Sequence, residues 1–267
     1  MMWLTLAVGF LLFSATLAYL RYSRVQLYKS LESETSAVSE FLTGDVLNSR
    51  SQERLPSFDR RLVYLDDVLP ADQFAALRSE IETLVETERS YLPAHKKGGT
   101  VAYETLMVKA PRVVALYRSP ALSKLVSSVL GDTARPTPIN DQSSCSILFY
   151  DRPGDHIGWH YDHNFYRGRH VTVLIPIINR NATGDGLSAA RLEARFGRDI
   201  DVVETPPNRF VMFEGQKVLH RVTPIAAGER RVMLSMTFAT DTHSSVAQGI
   251  KRRIKDTAFF GLRALWT

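Results

Sequence analysis

Positions 1 to 20, Met1 to Leu20, are almost continuously apolar, and charge then enters at once with Arg21, Arg24 and Lys29. A helix of about 20 apolar residues matches the roughly 30 Å hydrocarbon core of a bilayer, so residues 1–20 predict a transmembrane anchor. Cations on its C-terminal side alone place the rest of the chain in the cytoplasm, as a single-pass membrane protein. The rival reading is a signal peptide cut after Thr16-Leu17-Ala18, but it lacks a positive n-region. Residues 21–57 are rich in Ser, Glu and Thr with scattered Leu and Val. They read as a juxtamembrane stalk, weakly helical to Leu42 and broken at Gly44 and Pro56.

Apolar periodicity resumes with Arg61–Leu65, a short strand. Leu69-Pro70-Ala71-Asp72 then opens a helix with Phe74, Leu77, Ile81, Leu84 and Val85 at helical spacing. Ser119-Pro120 opens a second, with Leu122, Leu125, Val126, Val129 and Leu130 on one face and Gly131 as its stop. These stripes predict buttresses packed on a sheet. Between them Tyr91–Gly99, with His95, Lys96 and Lys97, reads as a loop. It is either a solvated connection or a lid whose Lys96 and Lys97 meet an acidic group of a substrate.

From Ser143 the period becomes that of strands. They are expected at Ser144–Tyr150, His156–Asp162, His170–Asn179, Arg191–Glu193, Asp201–Glu204, Arg209–Phe213, Val218–Val222 and Arg231–Ala239. Many short strands separated by Gly, Pro and Asn mean a sandwich or barrel. The fold class is therefore mostly β with flanking helices, best fitted by a double-stranded β-helix, the jelly-roll, over residues 58–243. Residues 244–267 mix Lys251, Arg252, Arg253 and Lys255 with Phe259, Phe260, Leu262, Leu265 and Trp266. Such a tail suits an amphipathic helix lying on a membrane, or equally a helix packed on the domain's own flank.

A chain of 267 residues holds one domain with appendages. The net charge of +5 gathers near the two ends, which favours a membrane surface and no nucleic acid. Cys145 is the one cysteine, so no intrachain disulfide forms.

The chemistry concentrates in two strands. On the first, His160 and Asp162 point the same way while Tyr161 points away. On the second lies His220, with Arg230 ten positions beyond. Two imidazoles and a carboxylate on one side of an ion leave its other positions open, the facial triad of non-haem Fe(II) oxygenases. His156 and His160 also form His-x-x-x-His, but Gly158 and the strand pattern disfavour the helix that a zinc site of that spacing needs. His163 and His170 read as surface or hydrogen-bonding residues, and His95 and His243 stand alone.

His160, Asp162, His220 and Arg230, with the Gly228-Glu229-Arg230 turn and the strand behind it, resemble the Fe(II)/2-oxoglutarate-dependent dioxygenases. The likeness covers roughly residues 58–243 and is closest to the prolyl-hydroxylase branch. It implies Fe(II) on His160, Asp162 and His220, 2-oxoglutarate as co-substrate, and ascorbate as an optional reductant. It also implies that Arg230 grips the far carboxylate of 2-oxoglutarate, with Arg231 as the fallback if the register is off by one. Tyr150 and Thr172 are candidate hydroxyl partners of that carboxylate. The expected activity is hydroxylation, by dioxygen, of an unidentified small molecule, lipid or protein residue. One departure is Ser188-Ala189-Ala190 where family members often carry Gly-Gly. Two other classes stay open: a non-catalytic, membrane-tethered jelly-roll that binds or senses, and a hydrolytic zinc enzyme, which would leave Arg230 unexplained.

Overall fold

The structure is a computed structural model, and it describes residues 2–37, 46–48, 55–84, 88–89, 96–261 and 264. His95 and the rest of Tyr91–His95, Val85, and the tail residues Leu262, Leu265 and Trp266 fall outside them.

Two antiparallel sheets face each other. The larger runs β1 (Leu62–Leu65), β11 (Phe210–Phe213), β8 (His170–Arg180), β13 (Arg230–Ala239), β6 (Cys145–Tyr150), β4 (Gly99–Val101) and β2 (Glu88–Arg89), with β5 (Arg135–Pro136) also on β13. The smaller runs β10 (Asp199–Val203), β9 (Leu192–Phe196), β12 (Leu219–Val222), β7 (His156–His160) and β3 (Lys96–Lys97). Side chains alternate across a strand, so each central strand of the larger sheet serves two interiors. Val171, Val173, Ile175, Val232, Leu234, Met236 and Phe238 pack away from the smaller sheet, into a core shared with the helices. Leu174, Met233, Val211 and Phe213 pack instead toward Leu192, Ala194 and Val222 of the smaller sheet. Two-sided burial explains why β8 and β13 are apolar almost throughout.

The helices cover the outer face. The two expected from periodicity form as α2 (Ala71–Glu82) and α5 (Pro120–Leu130). In α5 the Ser119 side chain accepts from the Leu122 amide, and Gly131 closes the helix in the left-handed region at φ 71°. Two short helices, α3 (Tyr103–Lys109) and α4 (Pro111–Arg118), lie in a stretch where periodicity predicted nothing.

Helix α1 (Met2–Ala37) is unbroken across the predicted anchor and into the predicted stalk. Within it Leu6–Ser30 is long and apolar enough to cross a membrane. Its lower part is no free spacer. Arg24 forms a two-pronged ion pair with Glu104, at 2.8 and 2.5 Å, and the buried Tyr28 hydroxyl accepts from Gln142 at 2.7 Å. Helix α6 (Val246–Phe260), capped by a Ser245–Gln248 capping box, packs Arg252, Asp256 and Phe260 onto the domain. That is the flank-packed reading of the tail, although Val246, Ile250 and Ile254 remain exposed on the other side.

Candidate metal centre and cavity

Between the sheets lies a cavity of about 280 Å³. Its floor is the inward face of the larger sheet: Tyr150, Leu148 and Ser146 from β6, His170, Thr172 and Leu174 from β8, and Arg231, Met233, Ser235 and Thr237 from β13. Its roof includes Ile157 and His160 from β7 and His220 and Val222 from β12.

A bulge aims the first histidine. Pairing runs His220 with His160, but Val222 with Ile157, so β7 carries one extra residue. The extra residue reverses the alternation, and Ile157 and His160 both face the cavity despite their odd spacing. Trp159 instead faces out, between the guanidinium groups of Arg195 and Arg221 at 4.8 and 4.7 Å. The strand ends at His160, two residues before the expected boundary, so Asp162 comes from the segment that follows. The Asp162 amide is fixed by the Gly215 carbonyl at 2.9 Å. A side chain at Gly215 would overlap the Asp162 carboxylate, so glycine is required there for close approach.

His160, Asp162 and His220 are brought together: one potential ligand atom from each lies within 4.8 Å of the others. Asp162 Oδ1 is 3.5 Å from His160 Nε2 and 3.7 Å from His220 Nε2. The far ring nitrogens are already committed. His160 Nδ1 lies 2.8 Å from the Gly158 carbonyl and His220 Nδ1 lies 2.9 Å from the Val218 carbonyl. A carbonyl only accepts, so each Nδ1 carries the proton and each Nε2 presents a lone pair toward Asp162, which is the tautomer that a metal needs. Burial raises the Asp162 carboxyl, but His220, His160 and the Thr172 hydroxyl outweigh it and hold it well below the usual carboxylate range. Burial pushes His220 down, keeping it neutral, while at His160 the opposing bond to Asp162 prevails over burial and raises it.

The donor set fits a divalent metal: two neutral imidazole nitrogens and one ionised carboxylate on one side of a shared point. Thr172 has a different place from the expected one. Its hydroxyl donates to Asp162 Oδ2 at 2.7 Å, turning Oδ1 toward the histidines.

Of the two candidate arginines, Arg231 lines the cavity and Arg230, the one expected there, does not. Arg230 shares its face of β13 with Val232 and Leu234, and that face turns to the helices. Arg231 shares its face with Met233, Ser235 and Thr237 and lines the cavity beside Tyr150, its cross-strand partner, with its guanidinium carbon 5.3 Å from the Tyr150 ring. Arg231 is 1% exposed, and among the described residues no carboxylate pairs with it. Its Nη2 reaches the Thr205 hydroxyl only at 3.4 Å, and its Nε has no partner. The Tyr150 hydroxyl is likewise buried and has the Arg231 guanidinium beside it, without a well-formed hydrogen bond. Burial pushes the Arg231 guanidinium down and that of the Tyr150 phenol up to about 12. An arginine nevertheless keeps its charge, so the protein holds an uncompensated cation at this end of the cavity.

The other histidines separate. His163 stacks on Phe165 at 5.7 Å near the mouth. His170 is corrected from a surface or hydrogen-bonding residue: it is buried in the cavity wall, its Nδ1 has no partner, and burial pushes it down. Sequence reasoning also placed Lys255 in the tail without foreseeing that it lines the cavity, as do Phe259 and Phe260.

With this geometry in place, the chain can be set beside known proteins. Residues 48–168 match the family model described as HalD, Halogenase D. That match takes in less than half of the chain, and it ends before Thr172, His220 and Arg231. No curated protein matches by sequence. Among solved structures, the non-haem α-ketoglutarate-dependent epimerase SnoN from nogalamycin biosynthesis is similar at 15% identity, with a TM-score of 0.56 over 72% of this chain and 83% of that one. EctD from S. alaskensis, solved with 2-oxoglutarate and 5-hydroxyectoine, is 14% identical with a TM-score of 0.53, over 74% and 78%. A 2OG-Fe(II) oxygenase-family oxidoreductase from Burkholderia pseudomallei is 12% identical with a TM-score of 0.53, over 70% and 89%. The fold is that of the 2OG-Fe(II) oxygenases.

Proposed function

We propose that this protein is an Fe(II)- and 2-oxoglutarate-dependent dioxygenase that hydroxylates an unactivated C–H bond, held at a membrane by α1. One observation carries the reading. A His–Asp–His cluster with both Nδ1 atoms committed shares a cavity with a buried arginine that lacks an anion. His160, Asp162 and His220 would hold the metal, and Arg231 would grip the distal carboxylate of 2-oxoglutarate as a two-pronged fork, with the Tyr150 hydroxyl as a further donor. Bound there, the iron and 2-oxoglutarate supply the oxidising chemistry: one oxygen atom of dioxygen goes to the substrate C–H bond and the other to succinate, with loss of carbon dioxide.

The chain's own residues orient and protect. Thr172 and Gly215 fix the Asp162 carboxylate, and the Gly158 and Val218 carbonyls fix the two imidazoles. Leu148, Leu174, Leu192, Phe213 and Met233 give the cavity apolar lining. The two-sheet arrangement fits the double-stranded β-helix expected from the strand spacing.

Hydroxylation is favoured over halide transfer by Asp162. An octahedral ion with three protein ligands has three positions left. A keto acid held bidentately would need two of them and dioxygen the third, which would leave none for a halide. The test is succinate formation. Purified full chain given Fe(II), ascorbate, dioxygen and 2-oxoglutarate should release succinate, and Asp162→Ala should release none above background. A parent that binds iron but yields no succinate, with or without a panel of substrates, would refute the oxygenase reading in favour of a tethered binding module.

A further inference from the structure

The cavity contains a second cation that the proposed chemistry does not use. Lys96, on β3, is 6% exposed and lines the same space as the metal site. Its ammonium donates to the Thr100 hydroxyl at 2.6 Å and lies 5.6 Å from the centre of the Phe259 ring. An ammonium has three donors, and among the described residues one is spent, on Thr100. Among the described residues no carboxylate stands within ion-pair distance of it.

The charges around it do not balance. Lys255, on α6, bonds to Ser143 Oγ at 2.7 Å and pairs with Asp256 Oδ1 at 3.0 Å. Arg252 reaches Asn140 Oδ1 at 3.2 Å and lies within electrostatic range of Asp141. Asp141 accepts from the Tyr166 hydroxyl at 2.6 Å and from the Ser143 amide at 2.9 Å. Two buried acids, Asp141 and Asp256, thus serve Lys255 and Arg252, and Lys96 receives neither. Asp162 belongs to the metal cluster. A buried ammonium without a counter-charge costs several kcal/mol, a cost that an anionic ligand would relieve.

This seat is separate from that of Arg231. Lys96 reaches the cavity from β3 at the edge of the smaller sheet, whereas Arg231 reaches it from β13 in the middle of the larger one. Phe165, Phe259 and Phe260 supply apolar wall beside the lysines. The cavity therefore offers one anion seat at Arg231, a metal cluster, and a second anion seat at Lys96 with aromatic surroundings.

We propose that the substrate carries an anionic group, a carboxylate or a phosphate on an apolar skeleton, and that Lys96 with Lys255 holds that group while the skeleton lies toward the metal. This rests on reading the cavity as a substrate pocket. The probes are phenylacetate, phenyl phosphate and neutral 2-phenylethanol, titrated into the metal-free full chain in detergent with 2-oxoglutarate present and read by calorimetry. At least one anion should bind about tenfold or more tightly than the alcohol, the scale of a charge-assisted hydrogen bond. The tighter anion identifies carboxylate or phosphate. Lys96→Met should erase the preference, Lys96→Arg should keep it, and Arg231→Met should leave it while losing 2-oxoglutarate. If Lys96→Met fails to fold, Lys255→Met should reduce the preference in its place.

A parent without anion preference would overturn the proposal. So would a preference that survives undiminished in Lys96→Met, or loss of 2-oxoglutarate in that variant, which would make Lys96 an anchor for the co-substrate. If the parent ignores 2-oxoglutarate yet binds an anion through Lys96, the oxygenase reading falls and the anion seat stands.

Discussion

The two ends of the cavity are built from different material. Arg231 and Tyr150 stand opposite each other on β13 and β6, central strands of the larger sheet, buried on both faces. Lys96 and Lys255 come from β3 at the edge of the smaller sheet and from α6 near the C-terminus. A residue on a central strand is held by ladders on both sides, so its position is fixed by the whole sheet. A residue on an edge strand or a terminal helix can be replaced or shifted while the sheet stays intact. The difference teaches where each kind of chemistry belongs. The seat proposed for the co-substrate is on the rigid frame, and the seat proposed to select a substrate is on the frame's attachments.

The largest expected effect breaks the rigid end. Arg231→Met should weaken 2-oxoglutarate binding by about 2–5 kcal/mol, the usual cost of truncating one side of a buried charge pair. The same variant should raise the stability of the ligand-free protein, by about 1–4 kcal/mol, because it removes a buried charge without a partner. Calorimetry and urea unfolding check the two halves. Arg230→Met should do neither, and a loss of binding there would restore the register that the structure corrects.

A smaller effect tests the attached end through pH. Burial, aided by repulsion from Lys255, pushes the Lys96 ammonium down from its ordinary 10.5 to about 8. Below pH 8 both folded and unfolded chains carry this proton, and the folded chain bears the full cost of burying it. Between pH 8 and 10.5 the unfolded chain binds more protons, so this group's contribution to stability rises with pH, by up to about 3 kcal/mol. Subtracting the unfolding profile of Lys96→Met from that of the parent should reveal that rise. A flat difference would mean that Lys96 meets an anion or water in the folded state.

The smallest effect lies between the two ends. Thr172→Val keeps the shape but removes the hydroxyl that holds Asp162 Oδ2, and should cost about 10–100-fold in metal affinity. Competition with a chelator measures it. If affinity were unchanged while 2-oxoglutarate binding fell, Thr172 would touch the co-substrate as the sequence reading expected.

These contrasts also show what the chain discloses before it folds. The His160–Asp162–His220 cluster was legible because its residues are scarce types at a telling spacing: His160 and Asp162 two apart, His220 on a later strand. Arg231 was not distinguishable from Arg230, because alternation separates Val232, Leu234, Met236 and Phe238 from Met233, Ser235 and Thr237 but does not say which face lines the cavity. The bulge in β7 was equally hidden, since an extra residue leaves no mark in His156–His160. Helices α3 and α4 are too short to show a period. Lys96 was readable as a candidate to meet an acidic group of a substrate, but its convergence with Lys255 across more than half the chain length depends on where α6 docks. The long N-terminal helix was legible as an apolar run, whereas the docking of Arg24 and Tyr28 depends on Glu104 and Gln142, far along the chain.

The most direct measurement of the central claim is anaerobic. Fe(II) and then 2-oxoglutarate are added to the purified full chain, and the visible charge-transfer band of a metal–keto-acid chelate is recorded. The account predicts a band in the parent, none in Asp162→Ala, and in Arg231→Met a band that needs far more 2-oxoglutarate to develop. A folded, iron-loaded parent without the band, or a band of full strength in Asp162→Ala, would contradict it.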